Sequence, residues 1–130
     1  MQIDWETYLE NIDELIASVR LKAPATSHVV GSPTDGIFPA LCVAEQLGLE
    51  FVDGAHAVVA KRGGSHLLMI VGYMTPADAP RVWGYVGEPR CTVAALYTEV
   101  GLQTKLDIVL AQCMPDDPVI FPYSRGGLWR

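Results

Sequence analysis

The chain has 130 residues, of which half are apolar and 18% are charged, which is typical of one folded domain and excludes a disordered chain. Its formal net charge of −6 argues against broad electrostatic binding to DNA or RNA, because such binding needs clustered Lys and Arg. No apolar run approaches the roughly 20 residues of a membrane span, and the acidic N-terminus differs from the basic start of a signal peptide. We therefore expect a single cytoplasmic domain over residues 1–130, with neither nucleic acid nor a membrane as partner.

Cysteine and histidine give no sign of a metal site. The three cysteines are odd in number and far apart, which is typical of reduced cytosolic thiols. No two of them form a CxxC pair, and the three histidines lack metal-ligand spacing. We therefore predict no metal held by the protein alone.

The first predicted element is an amphipathic helix over Asp4–Arg20. Asp4 suits the N-cap, and Glu6 lies in the first turn, where the helix dipole favours negative charge. The apolar residues of this helix recur at i, i+3 and i+4 spacing: Trp5, Tyr8, Leu9, Ile12, Leu15, Ile16 and Val19. We expect this stripe to cover a sheet.

The most informative stretch covers residues 27–48, which follow the order strand, polar loop, helix. The polar loop is Gly31–Gly36, and Pro39 lies in the first turn of the predicted helix. The first N–H groups of a helix lack partners inside it, and the helix dipole is positive there. The loop therefore suits a phosphate or pyrophosphate. The plainer alternative is a tight strand–helix turn that Thr34 or Asp35 caps.

Two apolar runs, Ala55–Ala60 and Leu67–Val71, flank a segment that contains a Gly-Gly pair. This pattern predicts an antiparallel β-hairpin. Lys61 and Arg62 at its tip could meet an anion, and the alternative is that they only keep the tip soluble.

The remaining short apolar runs predict the rest of a sheet. Strands that alternate with helices and lack period-two alternation indicate an α/β fold with a mainly parallel sheet, flanking helices and the antiparallel hairpin. Ligands bind such sheets at the carboxyl ends of the strands, so two polar loops would face one crevice if their strands are neighbours. The further predicted segments are strands at Glu50–Asp53, Cys91–Tyr97, Leu106–Leu110 and Val119–Phe121, a second polar loop at Gly72–Pro80, a short helix at Arg81–Val86, and a C-terminal tail over residues 124–130.

The order of these elements resembles the type I phosphoribosyltransferases. GSPTDGIFPALCVAEQLG is similar to the pyrophosphate loop of that family and its following helix. HLLMIVGYMTPADA stands where the family has a strand that enters the 5-phosphoribosyl 1-pyrophosphate loop, and DDPVIFPY resembles the C-terminal hood of purine-using members. The hairpin would stand for the flexible catalytic loop. The resemblance spans about residues 6–123 and implies a type I phosphoribosyltransferase-like fold and a homodimer.

Several positions depart from the family pattern. The two adjacent acids that bind the ribose hydroxyls are replaced by Gly72 and Tyr73. In the phosphate cup, Pro76 and Pro80 have no N–H to donate, and Asp78 would direct negative charge at a phosphate. The departures imply that phosphoribosyl transfer is weak or lost.

The first hypothesis is a divergent phosphoribosyltransferase of nucleobase or nucleotide metabolism, such as purine salvage. In it, Asp35 helps to hold a pyrophosphate-bound Mg²⁺, and Lys61 or Arg62 neutralises the leaving group. The resemblance also assigns substrate-binding roles to Ser32, Pro33, Thr34, Gly36, Tyr73, Thr75, Asp78, Phe121 and Tyr123.

Two alternatives stay open. The protein could be a non-catalytic sensor or sequestering protein that binds a nucleotide, a nucleobase or another small phosphorylated ligand through the loop Gly31–Gly36. It could also be a protein-interaction module that presents Trp83, Tyr85 and Trp129, because aromatic residues are favoured at interfaces.

Overall fold

Five parallel strands form one sheet, in the order β2-β1-β3-β4-β5, in a computed structural model of the chain. The structure describes residues 1–85 and 88–124, apart from the side chains of residues 55, 61 and 124. The elements are α1 (Trp5–Lys22), β1 (His28–Gly31), α2 (Ile37–Leu47), β2 (Glu50–Phe51), α3 (Gly54–Arg62), β3 (Leu67–Met74), α4 (Ala79–Val82), β4 (Cys91–Glu99) and β5 (Ile108–Cys113), with single 3₁₀ turns at Gln103–Lys105 and Pro122–Ser124.

Strand β3 lies at the centre of the sheet and is buried on both faces. Leu68 and Ile70 belong to the core that α1 and α2 cover, whereas Met69 and Val71 belong to the core on the other face, which includes residues of α3 and α4. A strand covered on both faces needs a continuous apolar run, and β3 has one. The predicted α/β architecture with a mainly parallel sheet is confirmed.

Helix α1 begins at its predicted cap. The backbone N–H of Thr7 donates to the Asp4 carboxylate at 2.8 Å, which satisfies one of the unpaired amides of the first turn. The buried face is narrower than the apolar stripe: Trp5 is 51% exposed and Leu9 is 45% exposed. The sheet and α2 cover the later turns of α1 and leave these two side chains outside.

Helix α2 also matches the prediction, and Gly48 ends it in the left-handed region with φ of 66°. Its N-cap is Gly36, which has no side chain to cap the helix, so the expectation of Thr34 or Asp35 as the cap was wrong.

The predicted β-hairpin was wrong. Residues 54–62 form α3, and the described sheet is entirely parallel. Asp53 accepts a hydrogen bond from the backbone N–H of His56 at 2.8 Å and so starts the helix. Val58 and Val59 are exposed, whereas Ala57 is buried. Parallel strands need a crossover connection, and α3 provides it between β2 and β3.

Smaller differences concern the ends of elements. Strand β3 extends to Met74, so Gly72 and Tyr73 lie in the strand and not in the loop after it. The predicted strand at Val119–Phe121 is only an isolated parallel bridge between Ile120 and Gln2. Val86 and the tail that contains Trp129 lie outside the described residues. Within the described ranges, no helix is both long and apolar enough to cross a membrane.

Candidate functional site

The two polar loops lie side by side at the carboxyl edge of the sheet. This follows from the parallel pairing of β1 with β3, in which Gly31 is opposite Ile70. The backbones approach closely: a Cβ atom on Gly36 would lie 2.3 Å from the Ile70 carbonyl oxygen, and one on Gly72 would lie 2.4 Å from the Asp35 carbonyl oxygen. The two loops therefore adjoin, as expected for neighbouring strands. The place above their contact is here called the crevice, and its floor leaves no room for a side chain at either glycine.

The first loop is anchored at both ends and open at its tip. The Ser32 N–H donates to the Ile70 carbonyl at 2.8 Å, and the Gly36 N–H donates to the Ser32 carbonyl at 2.9 Å. Pro33 and Thr34 between them are exposed, and the peptide bond that joins them is cis. Among the described residues, the N–H groups of Thr34 and Asp35 donate to no backbone carbonyl.

The Asp35 carboxyl group lies between the two loops. The Ser32 hydroxyl donates to it at 3.4 Å, and the backbone of Gly72 and Tyr73 also hydrogen-bonds to it. The pKa of Asp35 is raised to about 6, mainly by burial and in addition by the nearby Asp78 carboxylate, while the hydrogen bonds from Ser32, Gly72 and Tyr73 act in the opposite direction. Asp35 is therefore a carboxyl group that takes up a proton near neutral pH.

The second loop is closed by its own side chains. The Thr75 hydroxyl donates to the Asp78 carboxylate at 2.9 Å, and the Arg81 guanidinium donates to the same carboxylate at 3.0 Å. Pro76 and Pro80 contribute no N–H groups. The Asp78 carboxylate is thus held within the second loop by Thr75 and Arg81.

Phe121 and Tyr123 have different surroundings although their rings stack in parallel at 5.2 Å. Phe121 is buried against Tyr8 and Tyr97, so it belongs to the core. Tyr123 is half-buried, and burial followed by the charge of Asp35 raises its pKa to about 12. Of the two, Tyr123 is the one that lies near the first loop.

A recess of about 390 Å³ next to the first loop was not predicted from the sequence. Several residues that line this recess belong to apolar stripes whose periodicity predicts burial. In the fold these residues are exposed, so the recess could not be predicted from the periodicity. The lining is almost entirely apolar and consists of Trp5, Thr34, Ile37, Phe38, Leu41 and Tyr123.

The residues Lys61 and Arg62 are not brought to the crevice. Helix α3 leaves β2 at the carboxyl edge and ends at Arg62, shortly before β3 starts at Leu67 on the amino edge. Its last turn therefore lies at the edge opposite to the loop Gly31–Gly36. The side chain of Lys61 is outside the described part of the chain.

No cluster of three or more potential metal ligands from His, Cys, Asp and Glu occurs among the described residues. Asp35 and Asp78 are the acids of the crevice, and each carboxylate already accepts hydrogen bonds from the protein.

Comparison with known proteins identifies the fold. No protein-family model matches the sequence, and no curated protein matches it in sequence. Solved structures match over nearly the whole chain. A purine phosphoribosyltransferase from Pyrococcus horikoshii is 14% identical with a TM-score of 0.71, and the match covers 96% of this chain and 94% of that one.

Two further structures agree. The xanthine-guanine-hypoxanthine phosphoribosyltransferase of Helicobacter pylori is 13% identical with a TM-score of 0.70 and covers 92% of this chain and 88% of its own. A hypothetical protein from Neisseria gonorrhoeae with bound ppGpp is 10% identical with a TM-score of 0.73, over 98% and 92% of the two chains. The chain therefore has a type I phosphoribosyltransferase-like fold, with very low sequence identity to these structures.

Proposed function

We propose that this divergent phosphoribosyltransferase-like protein binds a phosphorylated nucleotide in the crevice and has lost most or all phosphoribosyl transfer. One contrast carries the proposal. The loop Gly31–Gly36 keeps free amides at the start of α2, whereas the opposite loop has the Asp78 carboxylate and two prolines in place of a phosphate cup.

The loss of transfer is supported by the floor of the crevice. In phosphoribosyltransferases, by the resemblance, an acid would stand at the position of Gly72. Here a Cβ atom at Gly72 would lie 2.4 Å from the Asp35 backbone oxygen, so no acidic side chain fits. Removal of one preorganised charge-stabilising group typically costs about 10²–10³ in rate. Gly72, Tyr73 and the second loop occupy the positions where the resemblance places the ribose acids and the phosphate cup, and the last turn of α3 with Arg62 lies at the opposite edge of the sheet. We therefore expect little turnover.

The anion-binding role is supported by the amides of Thr34 and Asp35. Two unpaired N–H groups beside the positive end of a helix favour a phosphate or pyrophosphate group. Ser32, Pro33 and Gly36 shape this loop. Thr75 and Asp78 lie on the opposite side, and Tyr123 offers an aromatic ring near the loop. The Tyr73 hydroxyl instead interacts with Cys113 and Val119, so the ribose-binding role expected for Tyr73 is not supported. Phe121 would act through Tyr123, on which it stacks.

The ligand class we favour is a purine nucleotide that carries a pyrophosphate group. One structurally similar protein is described with bound ppGpp, and others are purine phosphoribosyltransferases. We propose that Mg²⁺, where it takes part, arrives bound to the pyrophosphate, because the carboxylates of Asp35 and Asp78 are already engaged within the protein.

The test is calorimetric titration with ppGpp, GMP and 5-phosphoribosyl 1-pyrophosphate, with and without Mg²⁺, combined with an assay for pyrophosphate release. The release assay uses guanine, xanthine, hypoxanthine and adenine at high protein concentration. Saturable binding without pyrophosphate release would support the proposal. Flat titrations with all three ligands would overturn it, and steady Mg²⁺-dependent release would show that the protein is an active transferase instead.

We also propose that two copies associate through an apolar surface, here called the α1/α2 face. It consists of the exposed side chains Trp5, Leu9, Ile37, Phe38 and Leu41, each between 37% and 51% exposed. Contiguous apolar patches of this kind are uncommon on monomers and mark interaction sites. Trp83 and Tyr85, by contrast, are partly buried against the core.

A further inference from the structure

We propose a second anion site at the amino edge of the sheet, where Lys22, His66 and Arg90 bind the phosphate group of a small phosphorylated molecule. These three side chains line one hollow of about 300 Å³. Its remaining wall includes the hydroxyl-bearing residues Thr26 and Thr92. The site is separate from the crevice and does not depend on the function proposed for it.

The parallel register brings the three residues together. Leu67 pairs with Cys91, so the residues just before them, His66 and Arg90, lie next to each other where β3 and β4 begin. The Leu67 N–H donates to the Arg90 carbonyl at 2.8 Å, which fixes this juxtaposition. Lys22 completes the group as the last residue of α1.

The His66 backbone is held equally firmly. Its carbonyl accepts hydrogen bonds from the N–H groups of Ser27 at 2.9 Å and His28 at 3.2 Å. The connection from α1 to β1 is thereby tied to the start of β3. The hollow thus has a floor made of hydrogen-bonded backbone, with the basic side chains around it.

Arg90 adopts an unusual backbone conformation. Its φ of 60° makes it the only described non-glycine residue in the left-handed region, which side chains of this size rarely enter. Its guanidinium lies over Gly64, whose absent Cβ atom would be 3.1 Å from Nη1 of Arg90. Strained backbone of this kind concentrates at functional sites. Arg90, with its guanidinium at Gly64, is also part of the wall of the hollow.

The positive charge of this hollow is not neutralised within the described part of the protein. Neither Lys22 nor Arg90 has a carboxylate within ion-pair distance there. The chain has only nine Lys and Arg residues and a net charge of −6, so a pair of unneutralised cations beside an imidazole is a local exception. Arginine and lysine together with hydroxyl groups are the donors that recognise phosphate.

The distance to the crevice keeps the two sites apart. Strand β3 has 8 residues and joins the two edges. At roughly 3.3 Å per residue the edges are about 25 Å apart, so no single mononucleotide can occupy both sites. A ligand at the amino edge must therefore be recognised by these residues alone.

The experiment is an NMR titration of the ¹⁵N-labelled protein at low ionic strength with inorganic phosphate and, separately, with ribose 5-phosphate. We expect saturable shifts of the amides of Thr26, His66 and Cys91, at concentrations independent of any shifts at Thr34 and Asp35. If ribose 5-phosphate binds more tightly than phosphate, the natural ligand is a phosphate ester, and the reverse result indicates free phosphate.

The variant Arg90→Gln should weaken this binding about tenfold, because it removes one charge-assisted hydrogen bond. Lys105→Gln is the matched control, since it removes the same charge from a residue that lies over the Trp83 ring and away from the hollow. If both variants bind phosphate equally more weakly, the loss of affinity is due to net charge alone, and the proposed site is overturned. Absence of saturable shifts at the amino edge would also overturn it, whatever happens at the crevice.

Discussion

Gly72 and Asp35 are so close that a Cβ atom on the glycine would lie 2.4 Å from the carbonyl oxygen and 2.8 Å from the Cβ atom of the aspartate. This contact joins the centre of the sheet to the loop that we propose binds phosphate. It also explains why the aspartate is held in place: its carboxylate hydrogen-bonds to the backbone of Gly72 and Tyr73. The contact also leaves no space for a side chain at Gly72, a position at which the resemblance implies a ribose-binding acid.

Replacement of Gly72 by alanine should destabilise the protein by about 3 kcal/mol, since neither backbone can move without breaking the β1–β3 pairing. Gly54→Ala is the matched control, because a Cβ atom at Gly54 meets nothing within 4 Å. The control should change the free energy of unfolding by less than about 0.5 kcal/mol. Urea unfolding of both variants is the measurement, and equal stabilities would contradict the close contact.

The raised pKa of Asp35 should appear in the pH dependence of stability. Its folded-state pKa of about 6 is above the ordinary 3.8, so the folded protein binds a proton that the unfolded chain has already lost between these values. Ionisation of Asp35 therefore weakens the fold as pH rises from about 4 to about 6, and the cost persists above that range.

The variant Asp35→Asn mimics the protonated form. It should be more stable than the wild type at pH 7.5 by roughly 1–3 kcal/mol, and the difference should vanish near pH 4. Thermal and urea unfolding of both proteins across this range test the prediction. A stability difference that is constant with pH would show that Asp35 does not titrate as described.

Anion binding in the crevice should depend on the same proton. Sulfate keeps its charge between pH 5 and 8, so any change in its affinity reports on the protein. Neutralisation of Asp35 removes a negative charge beside the amides of Thr34 and Asp35, and sulfate binding should tighten about tenfold from pH 8 to pH 5.

The readout is the shift of the Thr34 amide on titration with sulfate, which separates the crevice from the amino edge. In Asp35→Asn the affinity should be high and independent of pH. If the variant keeps the pH dependence of the wild type, another group is responsible.

The α1/α2 face predicts the oligomeric state. The wild type should sediment as a dimer at micromolar concentration, and Phe38→Glu should shift it to a monomer by placing a charge in the centre of the face. Val59→Glu on α3 is the control, since Val59 is 66% exposed and lies away from this face. A wild type that is monomeric throughout would exclude the proposed dimer.

The parts of the fold that sequence predicted well are those in which pattern and burial coincide. In these parts the local pattern allows a single local structure. Examples are the continuous apolar run of β3, the N-cap at Asp4 and the helix end at Gly48. The segment Ala55–Ala60 was wrongly predicted as a strand because two adjacent valines dominate a short apolar run. In the fold those valines are exposed. The chain must cross from β2 to the parallel strand β3, and a helix makes this crossover.

The site was predicted only in part, for a related reason. Neighbouring strands bring the two loops together, and the loop motif itself was visible in the sequence. Arg62 lies at the opposite edge of the sheet because of the direction in which α3 runs. Local sequence patterns do not predict that direction. The recess beside Thr34 exists because the sheet and α2 leave the first turns of α1 uncovered. The apolar periodicity of α1 includes these turns, so it does not show which of them are exposed.

The replacement of a hairpin by α3 has one more consequence. Within the described residues, the link between β2 and β3 runs down the face of the sheet and does not overhang the crevice. This link therefore supplies no lid that would have to open before a bound molecule leaves. The helix in this position offers no cover with which the chain could shield a reactive sugar cation from hydrolysis.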